Sequence, residues 1–199
     1  MRIFSYLFLL LLSTSSLAAS KAYSPFETIN QTGDKLFTRI AASQQQLEKF
    51  PELMRDIVEQ ELMPVIDYRY ASYKILGKQL KKTSKEQREK FVQAMRHYLI
   101  RTYANALNQY KDQQVIYEDG KIKANAKMTS VNATIIDGNK PDIHITFQMR
   151  KNKKTGQWKA YDMVVEGISL LSSKRAEFSN RIAKYGIDQV IVELAAISS

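Results

Sequence analysis

Apolar positions along the chain follow a helical period first, then a strand period, then a helical period again. From residue 24 to 50, Phe26, Ile29, Leu36, Phe37, Ile40 and Leu47 recur at mostly helical spacing, which predicts one helix that Gly33 weakens without breaking. Pro51 suits the first turn of a second helix, "PELMRDIVEQELMPVIDY". Its stripe is Leu53, Met54, Ile57, Val58, Glu61 and Leu62, and Pro64 ends or kinks it. "RYASYKILGKQL" continues as a short helix. In "TSKE", Thr83 and Glu86 have the spacing of a capping box for a long helix running to about Tyr110. One stripe of that helix is Phe91, Met95, Tyr98, Thr102 and Ala106; a second is Val92, Leu99, Tyr103, Leu107 and Tyr110. A helix apolar over so much of its circumference belongs at the centre of the fold.

The period then changes to two. "QVIYEDGKIKA" opens with a strand, and residues 128 to 167 read as three more, with turns at Asp137-Gly138-Asn139 and near Thr155-Gly156. Ile143, Ile145, Phe147 and Met149 alternate with His144, Thr146, Gln148 and Arg150, the pattern of a half-buried antiparallel strand. After Gly167 a helix is expected from about Ser169 to Tyr185, closed by Gly186 as a left-handed cap, and Asp188 starts the last one. This order predicts an α+β fold, an antiparallel twisted sheet of about four strands with helices packed on one face, NTF2-like in broad outline. No repeat or low-complexity linker divides residues 20–199, which are expected to form one domain.

The stretch "WKAYDMVVEGISL" is the densest in the chain. Strand alternation places Tyr161, Met163 and Val165 on one face and Asp162, Val164 and Glu166 on the other. Asp162 and Glu166 are then ~13 Å apart. A glycosidase pair needs ~5–9.5 Å, so these two do not form one. The charge-free face is expected to line the interior. The carboxylates mark the other face or satisfy backbone and basic partners.

Composition narrows the function. Arg2, an apolar run from Ile3 to Leu12 and small residues up to Ser20 have the layout of a secretory leader. That run is too short for a membrane span, which needs ~20 residues. Cleavage after Ala18 or Ala19 is expected. Ser20 stands where a bacterial lipoprotein carries its lipidated cysteine. The chain has no cysteine, so the exported product is expected to be soluble and free of disulfides.

The formal net charge is +10, with basic clusters at residues 78–85 and 150–159 that attract anionic surfaces or partners. No zinc-finger spacing or RNP-type motif points to nucleic acid. With two histidines, His97 and His144, and no thiol, a zinc site of the usual kind is not expected. Serine-nucleophile, P-loop and dinucleotide signatures are lacking.

"YDMVVEGISL", together with "VEQELMPVIDYRYASYKILG" (58–77) and "TSKEQREKFVQAMRHYL" (83–99), closely resembles the MlaC family, also called the toluene-tolerance family. Each motif alone is degenerate, but their order and spacing are specific, and the resemblance spans essentially the whole mature chain. One departure touches only capping: Lys85 stands where relatives often have proline.

The resemblance implies a periplasmic phospholipid carrier of Gram-negative bacteria that is not an enzyme and needs no cofactor, with phospholipid as cargo. It implies a monomer that exchanges lipid with two partners. One is an outer-membrane lipoprotein–porin complex; the other is an inner-membrane ABC transporter bearing an MCE-domain ring. That exchange maintains outer-membrane lipid asymmetry.

Physics sets what such a carrier needs. Each CH₂ exposed to water costs ~0.8 kcal/mol, so about 15 methylenes cost on the order of 12 kcal/mol per tail. Both tails then require an enclosed apolar cavity. Its expected lining is Leu62, Ile66, Ile75, Leu76, Met95, Tyr98, Leu99, Tyr103, Val131, Ile135, Ile145, Phe147, Met149, Tyr161, Met163, Val165, Ile168 and Leu171. Met adapts its shape to variable chains, although Met63, Met95, Met149 and Met163 also suit ordinary core filling. Two other classes remain open: a basic secreted adaptor with a solid core, and an NTF2-like or lysozyme-like secreted enzyme.

Overall fold

A computed structural model describes residues 23–198 apart from Asp112 and Asn139. The expected leader and the expected cleavage after Ala18 or Ala19 lie outside the described residues. Helix α1, Pro25–Ala42, opens on a reciprocal cap: Ser24 Oγ accepts from the Glu27 N–H, and the Glu27 carboxylate accepts from the Ser24 N–H. Its helical run stops at Ser43, whose φ/ψ of −105°/5° separates it from α2, Gln44–Lys49, where one helix was expected.

Helix α3, Leu53–Ile57, widens into a π turn at Val58–Leu62, in which the Met63 N–H reaches back to the Val58 carbonyl. A 3₁₀ turn, Met63–Val65, follows. Pro64, which has no N–H to give, stands where the helix gives way. The Asp67 N–H then bonds the Ala160 carbonyl at 2.7 Å, tying this segment to the sheet.

Asp67 caps α4, Tyr68–Leu76, by accepting from the Tyr70 N–H. After a 3₁₀ stretch, Gly77–Lys82, comes the long helix α5, Lys85–Leu107. Its capping box is formed by Ser84 and Gln87, one residue later than the expected Thr83 and Glu86. The Thr83 hydroxyl is turned back onto the Leu80 carbonyl at 3.0 Å and cannot serve as the cap.

The sheet is an antiparallel meander of five strands rather than about four: β1 (Gln114–Tyr117), β2 (Met128–Ile136), β3 (Ile143–Lys151), β4 (Trp158–Val165) and the two-residue β5 (Ile168–Ser169). On its outer face Thr146 Oγ1 donates to Asn132 Oδ1, and Asn132 in turn donates to Glu118. On its inner face Val131, Met149, Trp158 and Ala160 pack on Ile29 of α1. Helix α6, Leu170–Tyr185, starts one residue after the expected Ser169, which is its cap. Gly186 ends it at φ 82° and ψ 162°, a positive-φ conformation that favours glycine but lies outside the left-handed helical region, and α7, Ile187–Ser198, follows.

Helix α5 joins two helical cores. Its first half packs with α4, α6 and α7 through Phe91, Met95, Phe178 and Val190; its second half meets α1 and α3 through Ile100, Ala104, Ile40 and Ile57. The sheet carries α1, α4 and α6 on one face. Space remains between α5 and that face.

Candidate functional site

That space is a cavity of about 560 Å³, within the ~300–1,000 Å³ usual for small-molecule sites. Its walls come from α1 (Ile29, Leu36, Phe37), α4 (Ala71, Ile75), α5 (Met95, Leu99, Tyr103, Leu107), the sheet (Ile135, Ile145, Phe147, Met163) and α6 (Leu171). Thr102 and Ala106 on α5, Gln109 just past its end, Lys140, Pro141 and Ile143 by the β2–β3 turn, and Leu170 line it while remaining exposed, which marks the mouth.

The structure brings thirteen of the eighteen expected lining residues onto the wall: Leu62, Ile66, Ile75, Met95, Tyr98, Leu99, Tyr103, Ile135, Ile145, Phe147, Tyr161, Met163 and Leu171. Five lie elsewhere. Leu76 is consumed by the core with Phe91 and Met95. Val131 and Met149 are spent on the core with Ile29 and Trp158. Val165, half-buried, belongs to the hairpin end of β4. Ile168 is 62% exposed. Glu166 and Gly167, at φ 48° and 79°, form a two-residue hairpin turn that sends Ile168 back alongside Val165 instead of inward.

The expected alternation of β4 is also corrected. Gln148 pairs with Asp162 and Met149 with Ala160, so Tyr161 is an extra residue, and Tyr161, Asp162 and Met163 all line the cavity. Asp162 is therefore not on the far face. Its carboxylate accepts from Ser169 Oγ at 2.7 Å and the Leu171 N–H at 2.9 Å, which anchors the start of α6 to the cavity wall. Glu166 accepts from the His144 N–H at 2.5 Å. Both carboxylates thus satisfy backbone donors.

A polar brace adjoins the wall residue Tyr161. Arg150 Nη1 lies 2.5 Å from Asp67, its guanidinium sits 4.2 Å over the Tyr70 ring, and Tyr70 meets Tyr161 edge-on at 5.3 Å. Lys174 lines the wall from α6, with Glu177 at 2.8 Å and the Tyr98 ring at 5.2 Å. Burial works against its charge, but the hydrogen bonds to Glu177 and Tyr98 outweigh it and raise its pKa.

Burial, then the Asp162 charge, pushes the Tyr103 phenol up to about 12; burial, then Asp34, does the same at Tyr117. Both stay neutral at pH 7, as an apolar ligand requires.

Sequence reasoning missed the α1 wall and the contribution of β1 through Val115 and Tyr117. The α1 stripe was visible, but a stripe facing a filled core and one facing a cavity look alike. His97 and His144 are both exposed. Among the described residues no group of three or more His, Cys, Asp or Glu could hold a metal ion, and no helix is long and apolar enough to cross a membrane.

Comparison with known proteins agrees with this architecture. The family model described as MlaC protein matches residues 30–196. The intermembrane phospholipid transport system binding protein MlaC of Haemophilus influenzae is 35% identical over 177 residues, 88% of this chain and 83% of that protein. The toluene tolerance protein ttg2D of Pseudomonas putida is 25% identical over 181 residues, covering 90% and 83%. Among solved structures, the phospholipid-binding protein from Ralstonia solanacearum, in complex with a phospholipid, superimposes with a TM-score of 0.78 at 21% identity over 88% of this chain and 97% of that one. The chain belongs to the MlaC family.

Proposed function

We propose that this protein is a phospholipid carrier of the periplasm, holding acyl tails in the cavity beneath α5 and passing the lipid between membranes. The carrying observation is an apolar cavity walled by both the helices and the sheet. An interior otherwise close-packed has no reason to leave such a space unfilled, because each unfilled volume forfeits contacts. The relatives' names support the same reading: one is an intermembrane phospholipid transport binding protein, and the similar solved structure holds a phospholipid.

Its docking partners are an outer-membrane lipoprotein–porin complex and an inner-membrane ABC transporter with an MCE-domain ring, and its role is upkeep of outer-membrane lipid asymmetry. The basic surface, with Lys78, Lys81 and Lys82 clustered beside the start of α5, supports electrostatic docking. The protein itself needs no catalysis: capture and release are binding steps. The test is uptake of a labelled phospholipid from vesicles, followed by its delivery to the purified inner-membrane complex. A carrier takes up the label and transfers it at a rate that falls with salt, as screening shortens to ~8 Å at physiological strength. Uptake without transfer to that complex contradicts the shuttle role.

A further inference from the structure

Hydrocarbon tails account for most of the cavity wall but not for the phenol of Tyr103. This residue lies on the cavity face of α5, one turn from Leu99 and one from Leu107, and about 12 Å along the helix from Met95. Its partial exposure is to the cavity. Its hydroxyl makes no hydrogen bond among the described residues.

Other tyrosines on the wall are held by their neighbours, Tyr117 against Gly33. Tyr110 donates to the Gln113 carbonyl at 3.0 Å, Tyr98 meets Lys174, and Tyr161 packs edge-on against Tyr70. Asp162, whose charge Tyr103 feels, is occupied by Ser169 and Leu171. In the empty cavity water can satisfy this O–H; once lipid displaces that water, an acceptor on the lipid avoids leaving it unpaired.

We propose that the Tyr103 hydroxyl donates a hydrogen bond to an ester carbonyl oxygen of the bound phospholipid and so sets the depth to which its tails enter. This rests on the carrier reading. Three kinds of group are available on such a lipid. The tails have no acceptor. The phosphate is anionic, and so is the carboxylate of a free fatty acid; either one close to Tyr103 is repelled by Asp162. Of the lysines on this wall, Lys174 is held by Glu177 and Lys140, at the mouth, by Asp137. The ester carbonyl is an uncharged acceptor lying between phosphate and tails, and it alone meets both demands.

Tyr103→Phe removes one oxygen and preserves shape. The mature protein, stripped of lipid, is titrated with a diester phosphatidylethanolamine and with the diether analogue of identical tails and head group. Wild-type protein is expected to bind the diester about 3- to 10-fold more tightly, as one neutral hydrogen bond allows. Tyr103→Phe is expected to bind both alike, at the diether level. An ester preference that survives in Tyr103→Phe, or is missing from wild type, overturns the assignment while leaving the carrier intact. Wild-type protein that binds neither lipid overturns the carrier reading itself.

Discussion

Gly33, midway along α1, lies so close to Tyr117 on β1 that a methyl group on it would stand 1.7 Å from the phenol oxygen and 2.6 Å from the ring. Both residues line the cavity. The glycine that weakens α1 as a helix is the one that lets a strand phenol lie against it. Gly33→Ala therefore gains about 1 kcal/mol of helix propensity but displaces Tyr117, and a net loss of about 1–3 kcal/mol is expected from overpacking. Chemical denaturation of Gly33→Ala, Tyr117→Val and the double variant checks this. The double variant should be less destabilised than the sum of the singles; strict additivity refutes the contact.

The wall of the cavity can be distinguished from its outer rim. Met163→Glu places a carboxylate opposite Phe147 on the wall, where it must either remain charged against lipid tails or take up a proton. Phospholipid recovered with the folded variant should fall at least tenfold. Ile168→Glu adds the same charge at a site already 62% exposed, and lipid content should stay near that of wild type. Circular dichroism establishes that both variants fold. Equal losses in the two variants would place the lipid outside the cavity as drawn.

The brace of Asp67, Arg150 and Tyr70 ties α4 to the sheet. Arg150→Met leaves Asp67 half-buried without its cation. A cost of about 2–3 kcal/mol is expected, below the ~3–5 kcal/mol of fully buried pairs. Asp67 still caps α4 through the Tyr70 N–H, so Asp67→Ala should cost more than Arg150→Met. Guanidinium unfolding midpoints of the two variants test that order.

Much of this architecture was legible beforehand, and the misses have local causes. Hydrophobic periods located the helices and the four longer strands, because burial imposes those periods directly. Thr83 and Ser84 both suit a cap, and only backbone geometry selects Ser84. The extra residue at Tyr161 leaves no mark on composition, yet it moves Asp162 onto the cavity wall. The Glu166-Gly167 pair did carry a turn signal; read as a hairpin, it places Ile168 outside. Whether an apolar stripe faces packed atoms or a cavity depends on how far apart neighbouring elements are held, and no window of sequence encodes that distance.

Alkaline titration reports on the cavity from within. Tyr103 and Tyr117, ordinarily at 10.0, are pushed up to about 12 in the folded chain. The fold favours their protonated forms. This stabilisation is complete below pH 10, and it is lost as pH rises through about 12. Tyrosinate absorbance should therefore show two phenols ionising late, together with unfolding. Ionisation of every tyrosine near pH 10 with the circular dichroism unchanged would contradict their burial.

The most direct measurement is native mass spectrometry of the protein purified without detergent. A carrier flies with a mass excess equal to one phospholipid, which collisional activation releases and whose head group and chains the fragment masses identify. Met163→Glu in the same preparation should fly without it. A wild-type protein that appears only at its bare polypeptide mass, and takes up nothing after incubation with phosphatidylethanolamine vesicles, contradicts the carrier.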